Sequence, residues 1–145
     1  MNWKKIAIED LNDYPRKKEA LISMSERLQA LKLSADGLKA VAADKVPIQG
    51  GSSVMGDSII NNIAERDRLK RNYQITLKLV QCIERGLAVL NEEEKTVLDK
   101  FYIHRTSRHV DDLCQILNYS KTRIYQIRDE ALEKFTQAEY GVVQE

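Results

Sequence analysis

Prolines and glycines are scarce in this chain. Only Pro15 and Pro47 can interrupt a helix for want of an N–H, and three of the six glycines, Gly50, Gly51 and Gly56, sit close together. Long helices are permitted on both sides of that cluster, so an all-α fold is expected. Cysteine is limited to Cys82 and Cys114, each inside an apolar helical pattern where a thiol packs as a small hydrophobe. That usage excludes a disulfide framework and predicts two free thiols in a reducing, cytoplasmic setting. Long hydrophobic runs are absent too. The longest stretch without a charge, residues 46–56, is rich in Gly and Ser, whereas a membrane span needs roughly 20 apolar residues. Near the N-terminus the apolar stretch is only residues 6–8, too short for a signal-peptide core. No membrane partner is expected.

A surplus of charge of one sign is also missing. The chain has 23 basic and 22 acidic side chains, and residues 91–145 hold 8 Lys and Arg against 11 Asp and Glu. A global positive field is thereby excluded, and any nucleic-acid contact has to come from a local basic face. Catalytic patterns are lacking as well. No Ser/His/Asp set or paired-carboxylate cleft is legible, and Gly50-Gly51 lacks the strand and following Lys of a phosphate loop. His104, His109 and Cys114 are spaced by five, which turns a helix by roughly 140° between successive members and splits them between faces. Neither an enzyme, nor a metal site, nor a cofactor is expected.

What is present is helical periodicity. Pro15 suits the first turn of a helix, and Leu21, Met24, Leu28 and Leu31 then recur at steps of three and four. The pattern fails from Ser34 onward, and residues 46–56 read as a Gly/Ser-rich surface connection. Asp57 or Ser58 can cap a second helix. It carries Ile60 and Ile63, then a charged run, residues 65–71, expected as a solvated face with i to i+4 pairs. The apolar stripe resumes at Leu69, Tyr73, Leu77, Val80, Ile83, Leu87 and Leu90. Unbroken from Asp57 to Leu90, this helix would be roughly 51 Å long, more than the first helix can cover. Residues 1–90 therefore read as a long helical hairpin for oligomerisation or partner binding, with a homodimer expected to bury the rest of the stripe.

Residues 91–145 read as a second domain. Asn91 and Glu94 have capping-box spacing, and Glu92, Glu93 and Glu94 suit the positive end of a helix dipole. Val97, Leu98, Phe101 and Tyr102 follow as inward residues, before a polar break at residues 103–108. A fourth helix over residues 110–117 turns its Val110, Leu113, Cys114 and Leu117 side to the core. Asn118 can adopt the left-handed conformation and Ser120 can cap a fifth helix. Ile124, Ile127, Ala131, Leu132 and Phe135 point inward there, leaving Lys121, Thr122, Arg123, Tyr125, Gln126 and Arg128 outside. A short helix, a tight turn and a helix opening on Lys, Thr, Arg and Gln form a helix-turn-helix that fits a DNA major groove. Lys and Arg can donate to guanine O6 and N7, Gln can pair with adenine, and the Thr methyl can touch thymine. Tyr125 adds a neutral hydroxyl beside Thr122 and Gln126. Arg108 and Arg128 are expected nearer the phosphates, and Arg123 is expected on DNA, in a salt bridge, or packed beside Asp112.

Residues 112–135, DLCQILNYSKTRIYQIRDEALEKF, resemble the second half of sigma-factor region 4 without a gap. They match its Leu-x-x-Ser-x-x-Arg-[Val/Ile]-x-Gln-Ile-x-x-x-Ala-Leu-x-Lys pattern, and residues 90–98 resemble the opening of the same region. The chain departs from that family at Asn118, where Gly is usual, at Cys114, where a small residue is usual, and at Thr122, where an acidic residue is common. Residues 1–90 hold only Trp3, Tyr14 and Tyr73 as aromatics, unlike a promoter-melting region. A helical hairpin, a Gly-rich connection and a terminal module of this type are together similar to phage transcriptional regulators of the ArpU and RinA kind. The resemblance implies a sequence-specific transcription regulator, phage or prophage encoded, acting on double-stranded DNA in a bacterial cytoplasm, with RNA polymerase as a further partner. Two alternatives remain: the DNA-recognition small subunit of a phage packaging terminase, and a helical interaction adaptor that binds no DNA.

Overall fold

The computed structural model describes residues 1–43 and 54–141. Five α-helices account for nearly all of them: α1 (Trp3–Ala43), α2 (Val54–Ala88), α3 (Glu92–Leu98), α4 (His109–Leu117) and α5 (Lys121–Tyr140). A single π-helical turn, Asp99–Ile103, extends α3, and no strand occurs among the described residues. The all-α expectation holds. No helix among the described residues is long and apolar enough to cross a membrane.

Two compact units divide the chain, one made of Met1–Lys18 with Lys78–Glu145 and the other of Glu19–Leu77. Their boundaries fall within α1 and α2. In the first unit, Ala7 and Leu11 of α1 are fully buried with Ile83 and Leu90, with Leu98, and with Ala131, Leu132 and Phe135 of α5. The C-terminal end of the α2 stripe is thus covered within this unit, and its burial calls for no second chain. The same burial explains why Pro15 lies inside α1 rather than in a first turn. Proline removes one backbone hydrogen bond there, but the helix must continue upstream to deliver Ala7 and Leu11 to the core.

In the second unit, Leu21, Met24, Leu28 and Leu31 are half-buried and Ala35 is buried, so the α1 stripe continues past Ser34, up to which the apolar pattern is legible in the sequence. Asn62 Nδ2 donates to the Leu31 carbonyl at 2.9 Å and joins the two helical segments. Ile60 and Ile63, expected inward, are exposed, and Asn62 and the half-buried Arg66 take the inward positions. A buried asparagine at a helix contact costs stability but fixes helix register. The charged run is only in part a solvated face: Asp67, Arg68, Lys70 and Arg71 are exposed and Glu65 is half-buried, while Arg68 pairs with Glu65 at 2.7 Å over three residues. Of the expected connection, residues 46–53 lie outside the described residues, while residues 54–56 already belong to α2.

A candidate nucleic-acid interface

The platform beneath the candidate interface begins with α3. Asn91 Oδ1 accepts from the Glu94 N–H at 2.8 Å, and Glu94 Oε1 accepts from the Asn91 N–H at 3.1 Å, so the capping box forms as the spacing predicts. Glu94 is almost buried, and its other oxygen lies 2.9 Å from Lys134 Nζ, which ties the start of α3 to α5. Beyond the capping box, Val97 and Phe101 face Leu113 of α4 and Ile124 and Ile127 of α5 in a second core cluster. Val110, Cys114 and Leu117 pack on its edge. Cys82 and Cys114 are free thiols.

Between α4 and α5 the chain turns in three residues. Asn118 adopts φ 60° and ψ 37°, the left-handed conformation that Asn tolerates better than most residues. Ser120 is extended, and its Oγ accepts from the Arg123 N–H at 3.2 Å, capping α5. Between them Tyr119 donates its hydroxyl to Glu93 of α3 at 3.0 Å, and that hydrogen bond to a carboxylate raises the tyrosine pKa. The turn is thereby fixed by a cap on one side and by α3 on the other. Burying Ile124 and Ile127 turns Lys121, Thr122, Tyr125 and Gln126 outward. At roughly 100° per residue these four span an arc of roughly 140° on the first turns of α5. All four are exposed together, with Thr122 and Gln126 one turn apart.

The basic candidates differ in how much freedom they keep. Lys121 Nζ lies 3.7 Å from Asp111 Oδ1, and Arg108 Nε lies 4.0 Å from Asp111 Oδ2, so one carboxylate at the start of α4 serves two cations. Arg123 Nη1 donates weakly to Gln126 at 3.4 Å, lies 3.9 Å from Glu130, and stacks 5.9 Å from the Tyr119 ring centroid. Its ion-pair partner is therefore Glu130. Asp112 accepts from the Thr106 hydroxyl at 3.1 Å. Arg128 is the most enclosed of the set. Its guanidinium sits 5.3 Å from the Phe101 centroid and 5.0 Å from that of Tyr125, and Nη2 is 2.8 Å from Asp129.

Several contributors carry no signal in the sequence. Asp111 is ten residues from Lys121, across a turn, where no helical spacing marks a pair. Phe101 reads in the sequence only as a core residue, yet it also carries the His109 ring edge-on at 4.7 Å and the Tyr125 ring at 5.9 Å. The partner of the Tyr119 hydroxyl, 26 residues away, has no local signal at all. His104 Nδ1 lies 2.7 Å from Asp99 Oδ1, and no cluster of three His, Cys, Asp or Glu side chains that could hold a metal ion occurs among the described residues. The chain matches no protein-family model, no curated protein and no solved structure.

Proposed function

We propose that the chain is a sequence-specific duplex-DNA-binding transcription regulator and not an enzyme, with α5 as the helix that enters the major groove. The observation that carries this reading is the exposed set Lys121, Thr122, Tyr125 and Gln126 on the opening turns of α5, backed by buried Ile124 and Ile127. A helix presented after a short turn, with its first residues aimed outward, is the arrangement that reads base edges. Ser120, Arg108 and the backbone at the start of α5 then lie where phosphates pass, and phosphate contacts set orientation while base contacts set sequence. The likeness of residues 112–135 to sigma-factor region 4 supports the same assignment. It also extends the proposal to a phage or prophage origin, a bacterial cytoplasm and RNA polymerase as a second partner.

Self-association belongs to the proposal as well. Within the Glu19–Leu77 unit, Ile22 and Leu33 of α1 and Ile60, Ile63 and Ile75 of α2 are exposed large aliphatics. A homodimer buries such residues, and a dimer matches a two-fold related DNA site. Selection of bound sequences from a random duplex pool tests the function: a recovered consensus supports it, and recovery of no enriched sequence at low salt overturns it.

A further inference from the structure

We propose that Asp111 tunes the affinity of this face for DNA: its carboxylate holds Lys121 and Arg108 in intramolecular pairs and so competes with DNA phosphate for both cations. The inference rests on the reading of α5 as the DNA-binding helix.

Three observations carry it. First, Asp111 stands between the two cations, 3.7 Å from Lys121 Nζ and 4.0 Å from Arg108 Nε, and its two oxygens divide between them. Second, these are the most exposed basic groups of the candidate interface, with side chains 70% and 81% accessible. They are the ones a phosphate would reach first. Third, the pattern extends across the surface, since Arg123 faces Glu130 and Arg128 faces Asp129. The basic face is masked by its own carboxylates, which fits the acid surplus of residues 91–145.

Exposed pairs at these distances are weak and are readily exchanged. On any duplex, Lys121 and Arg108 must leave Asp111 before they gain a phosphate, and the carboxylate remains beside the new contact as a like charge. That cost is the same on a cognate site and on random duplex, so Asp111 lowers both affinities alike, through the phosphate contacts that supply non-specific binding.

The test is Asp111→Asn in the full chain, titrated on a short random duplex and on a selected-site duplex over a fourfold range of salt. Glu26→Gln is the comparison, since it removes an exposed carboxylate of the Glu19–Leu77 unit and changes net charge equally. The expected result is tighter binding of Asp111→Asn to random duplex at low salt, by about threefold per cation released. The gain should shrink by about 3.5-fold per added phosphate contact as salt rises fourfold, because each released counterion adds about 0.9 to the slope. Affinity for the selected-site duplex should rise by the same factor, leaving the ratio of specific to random affinity unchanged. A role confined to starting α4 would change stability and leave the salt slope untouched. Parent-like slope and affinity for Asp111→Asn, or an equal change in Glu26→Gln, would overturn the inference while parent binding stands. Failure of the parent to bind either duplex would overturn the reading of α5 and this inference together.

Discussion

The ring of Phe135 lies against the backbone of Gly86, so that a Cβ at residue 86 would come 2.6 Å from Phe135 Cε2 and 3.3 Å from the Phe135 carbonyl oxygen. Phe135 is fully buried, and the residues around it leave the ring no open side. Gly86 is therefore held by close approach of α2 to α5, not by any need for unusual backbone angles. Gly86→Ala is expected to destabilise the fold by about 1–3 kcal/mol through overpacking, outweighing a helix-propensity gain of about 1 kcal/mol. A Cβ added at Gly37 would meet nothing within 4 Å, so Gly37→Ala is expected to gain the propensity term alone. Thermal unfolding followed by circular dichroism checks both, with opposite signs required.

Much of this architecture is legible in the sequence because its signals are local. The Asn91/Glu94 box, the left-handed Asn118 and the Ser120 cap each depend on residues within four positions, and the inward set of α5 follows from its spacing. Pro15 misleads because burial of Ala7 and Leu11, a non-local gain, decides where α1 starts. Ile60 and Ile63 mislead because hydrophobic spacing ranks them above Asn62, whose hydrogen bond to Leu31 cannot be seen in one helix alone. Residue types on the outward side of α5 are readable in the same way as the caps. Their ion-pair partners across the turn between α4 and α5 are not.

Arg128 is expected to contribute to stability as well as to DNA affinity. Its guanidinium stacks with Phe101 and Tyr125, and such contacts are worth about 0.5–1 kcal/mol where partly exposed. Arg128→Ala should lower the midpoint of urea unfolding by that order. Arg108→Ala, at a site 81% exposed, should leave it unchanged. Equal midpoints for the two variants would place Arg128 outside the packing of this face.

The Glu139 carboxyl gives a pH signature. Burial, with the neighbouring Asp10 carboxyl, pushes its pKa from 4.5 up to about 8, while Tyr140 donates its hydroxyl to Asp10 and stacks on Trp3 at 5.0 Å. Lys17 acts in the opposite direction on the same carboxyl. A carboxyl whose folded pKa is raised binds more protons folded than unfolded between the two values, so stability falls as pH rises from about 4.5 to about 8. Glu139→Gln should flatten that slope and raise the melting temperature at pH 8 more than at pH 5. A variant with the parent's pH slope would remove Glu139 from this role.

Lys134 is the partner that allows Glu94 to be nearly buried, at 7% side-chain exposure against 56% for the lysine. Lys134→Met should cost about 1 kcal/mol, above the few tenths of a typical exposed pair, because it leaves an enclosed carboxylate without its countercharge. Chemical denaturation of this variant beside Lys100→Met, whose lysine has no such role in the capping box, gives the comparison.

The proposed reading of base edges by α5 is tested by Gln126→Ala, measured on a selected site and on random duplex in the same salt. A loss of about 1–3 kcal/mol on the selected site, roughly 5- to 150-fold, is expected, with little change on random duplex. Parent-like affinity of the folded variant for the selected site, or an equal loss on both duplexes, would contradict it.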